Sequence, residues 1–329
     1  LQVLTDLAEL PDYEEGWYQG GSATGAAVNP DGTPVFYSRP RTFDEAKNDG
    51  ERWRWALAEG AELAPKRRDE ARWIFAQFLY QQFGVQTLQQ YSYFFGRGAE
   101  ADGDKKNESG TYALHTLGED ETIARLATGI KRFKLPEEYN FIKMFQQLAA
   151  EQQGGYAENS LTTLAQLFEN RRQYPRAADY WREAIERFGK GNNDWREDRL
   201  EQITGNWGRF EGTMTQPAGR GASLEFRFRN GKRVEFEAHE ILIDRLLADV
   251  KAYLKSDPQE LDWQKLQIEQ IGYRIVQQHE NKYLGRRVAQ WEKELEPRAE
   301  HFDRRVTVNT PLEKGGAYLL TAKMDDNNV

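Results

Sequence analysis

The sequence predicts an α+β chain: paired helices over residues 43–204, then a two-sheet β-sandwich over 205–329 with a helical insertion at about 241–283. Three observations predict it. Leu161, Leu164, Ala165, Phe168, Ala177, Trp181, Ala184 and Gly189 are spaced as in two antiparallel helices, with small residues where backbones touch and bulky ones between. Asn230-Gly231 stands between two segments that alternate apolar and polar residues, which is strand chemistry. Helical periodicity then resumes for some forty residues before strand-like runs return.

Taken in order, residues 1–42 are rich in Gly and Pro and are expected to form an irregular arm that wraps the helices after it. Residues 43–83 read as a helix pair broken at Pro65. In it Trp55, Ala71 and Phe75 repeat the spacing of Leu161, Ala177 and Trp181, while Glu62 takes the place of Phe168. A short aromatic-rich helix near 85–95 and a polar loop at 96–110 come next. Helix is expected again at 112–117 and 119–133, and once more after Pro136, where Phe141, Met144, Phe145 and Leu148 recur at helical spacing. The clear pair lies at 157–188, with Pro175 opening its second helix, where a missing N–H costs nothing. One such pair cannot bury its own apolar face and must stack on neighbours. The whole of 43–204 therefore reads as an irregular, tetratricopeptide-like α-solenoid.

Beyond Gly205, residues 210–214, 224–228 and 234–238 read as strands. The last two are expected to form a hairpin, because both Asn230 and Gly231 accept positive φ. Helix follows at 241–254 and from Pro258 to about 283, then strands at 288–295, 305–309 and 317–324. Asp325-Asp326-Asn327-Asn328 is turn chemistry, so Val329 is expected to begin a return strand and the parent protein to continue beyond it. Leu1 stands first and no leader pattern is visible, which points to a processed or trimmed chain.

Composition narrows the function classes. The 329 residues carry a formal net charge of −8, which disfavours nonspecific binding to nucleic acid or anionic membrane. Clusters such as Lys66-Arg67-Arg68 and Arg171-Arg172 read as solvated helix faces or turns. With no cysteine there can be no disulfide, thiolate nucleophile or zinc–cysteine site. No apolar run approaches a membrane span.

Catalytic patterns are not found. His115, His239, His279 and His301 have no metal-ligand spacing, and the reading is that each is structural or on the surface. Gly20 to Gly25 lacks the Lys of a phosphate loop, and Gly96-Arg97-Gly98 lacks a third glycine. After Asp102-Gly103-Asp104, Asn107 and Ala113 stand where a calcium loop needs Gly and Glu. The aromatics from Trp53 to Phe95 recur at helical spacing and read as core in preference to a binding groove. No enzyme, cofactor or metal is expected. The candidate binding surface is a peptide groove on the first helix of the clear pair, formed by Asn159, Thr162, Gln166 and Asn170. Replacing Asn159, Gln166 and Asn170 by alanine is expected to weaken partner capture at little cost in stability.

A further pattern is the order of segments. A tetratricopeptide-like prefix precedes Trp207-Gly208-Arg209-Phe210-Glu211, residues 223–238, Gly272-Tyr273, Trp291, His301-Phe302-Asp303-Arg304-Arg305 and residues 311–322. This resembles the N-terminal region of large bacterial, planctomycete-type alpha-2-macroglobulin-like proteins. Within it, Gly316-Ala317-Tyr318 resembles the Gly-x-Tyr strand start of macroglobulin and other immunoglobulin-like sandwiches, where the tyrosine hydroxyl ties a corner to nearby backbone. The resemblance implies an immunoglobulin-like sandwich and a non-enzymatic scaffold region of a protease-trapping endopeptidase inhibitor. It further implies a periplasmic, cell-envelope or secreted location, with a protease or an envelope protein as partner. The thioester of that family needs a cysteine and so cannot lie in this chain. The competing expectation is a stand-alone adaptor that assembles envelope or secretion components.

Overall fold

The structure, a computed structural model, describes residues 26–88, 110–151, 155–212, 215–257, 259–324 and 327–328. It is α+β with antiparallel sheets, and the chain divides into two compact units, Leu1–Ile203 and Thr204–Val329.

In the first unit, α1 (Asp49–Leu63) starts because the Asn48 side chain accepts the Glu51 N–H at 3.0 Å and Glu51 reaches back to the Lys47 N–H at 2.8 Å. Pro65 stops it; a single 3-10 turn leads into α2 (Arg68–Phe83), which ends at Gly84. Residues 85–88 form another 3-10 turn, and the rest of the expected aromatic helix and polar loop lies outside the described residues. So do residues 1–25 of the arm. Its remainder turns at Gly32 (φ +82°), and Phe36 then packs against the rings of Phe83, Phe133 and Tyr139.

Residues 112–133 correct the sequence reading. Instead of two helices there is one 3-10 turn, Leu114–Thr116, then a β-hairpin of β1 (Glu121–Leu126) and β2 (Gly129–Lys134). Gly129 at φ +112° closes a two-residue turn that no helix could continue through, and Thr122, Ile123, Ile130 and Phe133 suit extended backbone. The Thr122 hydroxyl donates to the Phe83 carbonyl, tying the hairpin to the end of α2.

After a 3-10 turn at Glu137–Tyr139, Asn140 caps α3 (Phe141–Ala150) by accepting the Lys143 N–H at 3.0 Å. The clear pair follows as α4 (Tyr156–Asn170) and α5 (Tyr174–Phe188), then α6 (Trp195–Thr204). Each of α1 to α4 packs on its successor. Leu161, Leu164, Ala165, Phe168, Ala177, Trp181 and Ala184 are fully buried in one cluster, so the small positions do set helix approach and the large ones fill it. Phe168 stacks on Tyr180 at 5.4 Å, and Trp181 meets Trp195 edge-on at 5.3 Å while donating its indole N–H to Glu169.

The second unit holds two sheets. One has the order β3 (Trp207–Phe210), β4 (Ser223–Arg229), β7 (Arg304–Asn309); the other runs β6 (Leu284–Glu294), β5 (Arg233–Ile241), β8 (Tyr318–Met324), β9 (Asn327–Asn328). All pairings are antiparallel. Leu224, Phe226 and Phe228 of β4 meet Val234 and Phe236 of β5 and Ala322 and Met324 of β8 in one core. Asn230-Gly231 therefore does not close a hairpin: it carries the chain from one sheet to the other. Asn230 sits at φ +62°, donates to the Gly205 carbonyl at 2.7 Å and holds the His301 Nδ1 at 2.8 Å; a Cβ on Gly231 would strike the Met324 sulfur. Between β5 and β6, α7 (Ile243–Lys255) and α9 (Ile271–Val276), with the short α8 (Trp263–Leu266) between them, bury Leu246, Ile271 and Ile275 against Ile241, Tyr283 and Leu319.

Candidate functional site

The polar face predicted on the first helix of the clear pair is formed by α4. Ala157, Leu161, Leu164, Ala165 and Phe168 turn into the core, which leaves Asn159 and Gln166 exposed and Thr162 and Asn170 half-buried. Asn159, Thr162 and Gln166 follow one another at spacings of three and four and so share a side of the helix. The Asn159 amide only brushes the Gly155 carbonyl at 3.5 Å. Asn170 differs: its amide donates to the Tyr80 hydroxyl at 3.3 Å, so it bridges α4 to α2. The three free positions can each donate to and accept from an extended peptide backbone.

The structure does not gather the histidines. His115 lies in a 3-10 turn and its carbonyl accepts from Gln173, His239 sits on β5 beside Glu237 at 3.4 Å, His279 follows α9, and His301 holds Asn230. Among the described residues no three His, Asp or Glu side chains are grouped to hold a metal ion. The Gly20–Gly25, Gly96–Gly98 and Asp102–Asp104 segments lie outside the described residues.

Sequence reasoning missed a second feature, a cleft of about 460 Å³ between α1 and α2. Leu57, Ala58 and Ala61 line it from α1, Ala71 and Phe75 from α2, and Tyr37 and Tyr139 at one end. Its origin lies in the repeat pattern. Superposing the two pairs by sequence places Ala58, Ala61 and Glu62 where the filled pair has Leu164, Leu167 and Phe168. Three large apolar side chains are thus absent from the contact. Glu62 turns outward and pairs with Arg39 at 3.0 Å, both well exposed. The substitution at Glu62 was the available signal; the paired alanines beside it give it meaning. The aromatics here are therefore both core and lining: Trp53 and Phe78 pack at a tilt with centroids 4.7 Å apart, while Phe75 lines the cleft.

At the buried end Arg54 has its guanidinium 5.4 to 5.9 Å from the rings of Tyr37, Phe75, Phe78 and Tyr139. It donates to the Gly50 carbonyl at 3.0 Å. Burial pulls its pKa below the usual arginine value, an effect that the Tyr139 hydroxyl opposes. Tyr139 donates to the Tyr37 carbonyl at 2.6 Å, and burial pushes its own pKa up to about 12. Tyr37 is 6 % exposed, and its hydroxyl is buried with no hydrogen-bond partner among the described residues. No helix among the described residues is long and apolar enough to cross a membrane. Comparison with family models, curated proteins and solved structures finds no match for this chain.

Proposed function

We propose that this chain is a non-catalytic scaffold and interaction region of an alpha-2-macroglobulin-like protease-trapping protein of the cell envelope. In this reading the first unit is a tetratricopeptide-like solenoid that holds an extended protein segment, and the second is an immunoglobulin-like sandwich. The observation that carries it is the row of Asn159, Thr162 and Gln166 standing outward on a helix whose opposite side is wholly buried. Such a row is rigid, offers amides that neither demand nor exclude a particular side chain, and has no charge to neutralise. Support for the sandwich reading comes from Tyr318, whose hydroxyl donates to the Lys314 carbonyl at 3.0 Å just before β8.

The test is fluorescence anisotropy with a library of labelled extended peptides against the chain and its Asn159→Ala/Gln166→Ala variant. Asn170 must be left alone, because its bond to Tyr80 would confound binding with stability. Two lost hydrogen bonds at about 1 kcal/mol each predict affinity reduced by roughly tenfold or more, with the melting temperature unchanged. Equal affinities for chain and variant would remove α4 from the site.

A further inference from the structure

We propose that the α1–α2 cleft is a binding site for a monocarboxylate with an extended apolar body, independent of the peptide-holding role of α4. Three observations converge on that chemistry.

The first is shape. Lining residues run along α1 from Arg54 to Glu62, a span of roughly 12 Å at the helical rise. Between them stand Leu57, Ala58, Ala61, Ala71 and Phe75, so an apolar chain or ring would replace the side chains that the filled pair supplies for itself. Water held against such walls gains by being displaced.

The second is the buried end. Tyr37 lines it and keeps a buried hydroxyl without a partner, which is an unusual cost in a folded protein. Arg54 lines the same end with a buried cation stacked among rings. A small shift that uncovered the Tyr37 hydroxyl would set one hydroxyl donor and one guanidinium against the two oxygens of a carboxylate. A phosphate dianion would need more donors to offset its heavier desolvation.

The third is charge. Four arginines (Arg39, Arg54, Arg68, Arg72) line the cleft against two glutamates, Glu62 and Glu138, in a chain that is acidic overall. Arg39 pairs with Glu62, and Arg72 with Asp69 and Glu151. Arg68 is exposed at the end nearer Pro65 and makes no ion pair among the described residues. Glu138 opposes a bound anion, but it is exposed and therefore well screened. The local sign still favours an anion.

The same chemistry could come from a free aliphatic or aromatic acid, or from the C-terminus of a peptide ending in an apolar residue. Titration calorimetry on the full chain tests both, with 4-phenylbutyrate and its amide as one arm, and a Leu-terminated hexapeptide with free or amidated C-terminus as the other. Saturable binding of an acid is expected with Kd between roughly 0.01 and 1 mM, the range that about twelve non-hydrogen atoms supply. The matching amide should bind at least tenfold more weakly. Tyr37→Phe should weaken acid binding severalfold with no loss of melting temperature. Ala58→Leu/Ala61→Leu should abolish it while keeping or raising that temperature, since it restores the bulk of the filled pair. A tighter free-ended peptide would identify a chain terminus as the source, and a tighter phenylbutyrate a free acid. The proposal is overturned if acids and amides bind equally, if the filled variant binds as well as the parent, or if neither acid saturates below roughly 10 mM.

Discussion

Arg171, which the sequence places with Arg172 on a solvated helix face or turn, is instead buried and shows how much one side chain holds in place. It is 1 % exposed, and it donates to the Gly118 carbonyl at 2.9 Å and the Glu121 carbonyl at 2.6 Å, fastening the turn after α4 to the entry of the β-hairpin. Burial, reinforced by Arg176, lowers its pKa to about 10, so it stays cationic at neutral pH. Arg171→Met should destabilise the first unit by about 2–4 kcal/mol in urea unfolding, because two charge-assisted bonds vanish and their acceptors remain. Lysine should not rescue it, since a single ammonium cannot span both carbonyls as the guanidinium fork does. In the second unit the telling pair is Arg274 and Glu280, joined by two parallel bonds at 2.9 and 3.0 Å. The Arg274 hydrogen bond holds the Glu280 carboxyl below the usual 4.5. Because the folded value is the lower one, this pair adds stability above pH 4.5 and loses it as pH falls through the folded value. Glu280→Gln should therefore cost about 1 kcal/mol at pH 7, and its deficit should shrink as urea unfolding is repeated below pH 4.

At the scale of elements, the informative case is the connection between β4 and β5. Gly231→Ala should destabilise the second unit by about 1–3 kcal/mol in equilibrium unfolding, because the new methyl meets Met324, which is packed in the core and cannot swing clear. Gly231 does not sit at positive φ here, so the cost comes from that contact and not from the backbone strain an Asn-Gly hairpin turn would impose on alanine. The sequence could not distinguish the two geometries: alternating apolar residues either side of Asn-Gly suit a hairpin in one sheet and a crossing between two sheets alike. The pair α4–α5 was legible because small and large residues recur there at fixed offsets, and the same rule read Pro65 and Pro175 correctly as breaks and starts. The hairpin at 121–134 was not. Thr122, Ile123 and Ala124 are all buried, so β1 is covered on both faces and shows no alternation. The cleft was half-visible: Glu62 marked a missing contact, but only folded helices show that Ala58 and Ala61 leave the gap unfilled.

For the molecule as a whole, each large apolar core draws its side chains from one unit. Residues from Ala26 to Ile203 make the first, and those from Leu224 to Met324 the second. Cooperativity follows shared burial, so heating should resolve two calorimetric transitions in place of one. Trp181→Ala, which empties a fully buried site between α4, α5 and α6, should lower one of them by the equivalent of about 3–5 kcal/mol and leave the other in place. Phe236→Ala, in the core of the second unit against Phe226 and Trp291, should do the reverse. Assigning the transitions in this way also sharpens the ligand question. A compound that binds only the folded first unit raises that unit's transition, by about 2.7 kcal/mol at a hundredfold excess over its Kd, and has no means of raising the other. Phenylbutyrate should therefore shift the transition that Trp181→Ala lowers. A shift of the Phe236-sensitive transition instead would place its binding outside the α1–α2 cleft.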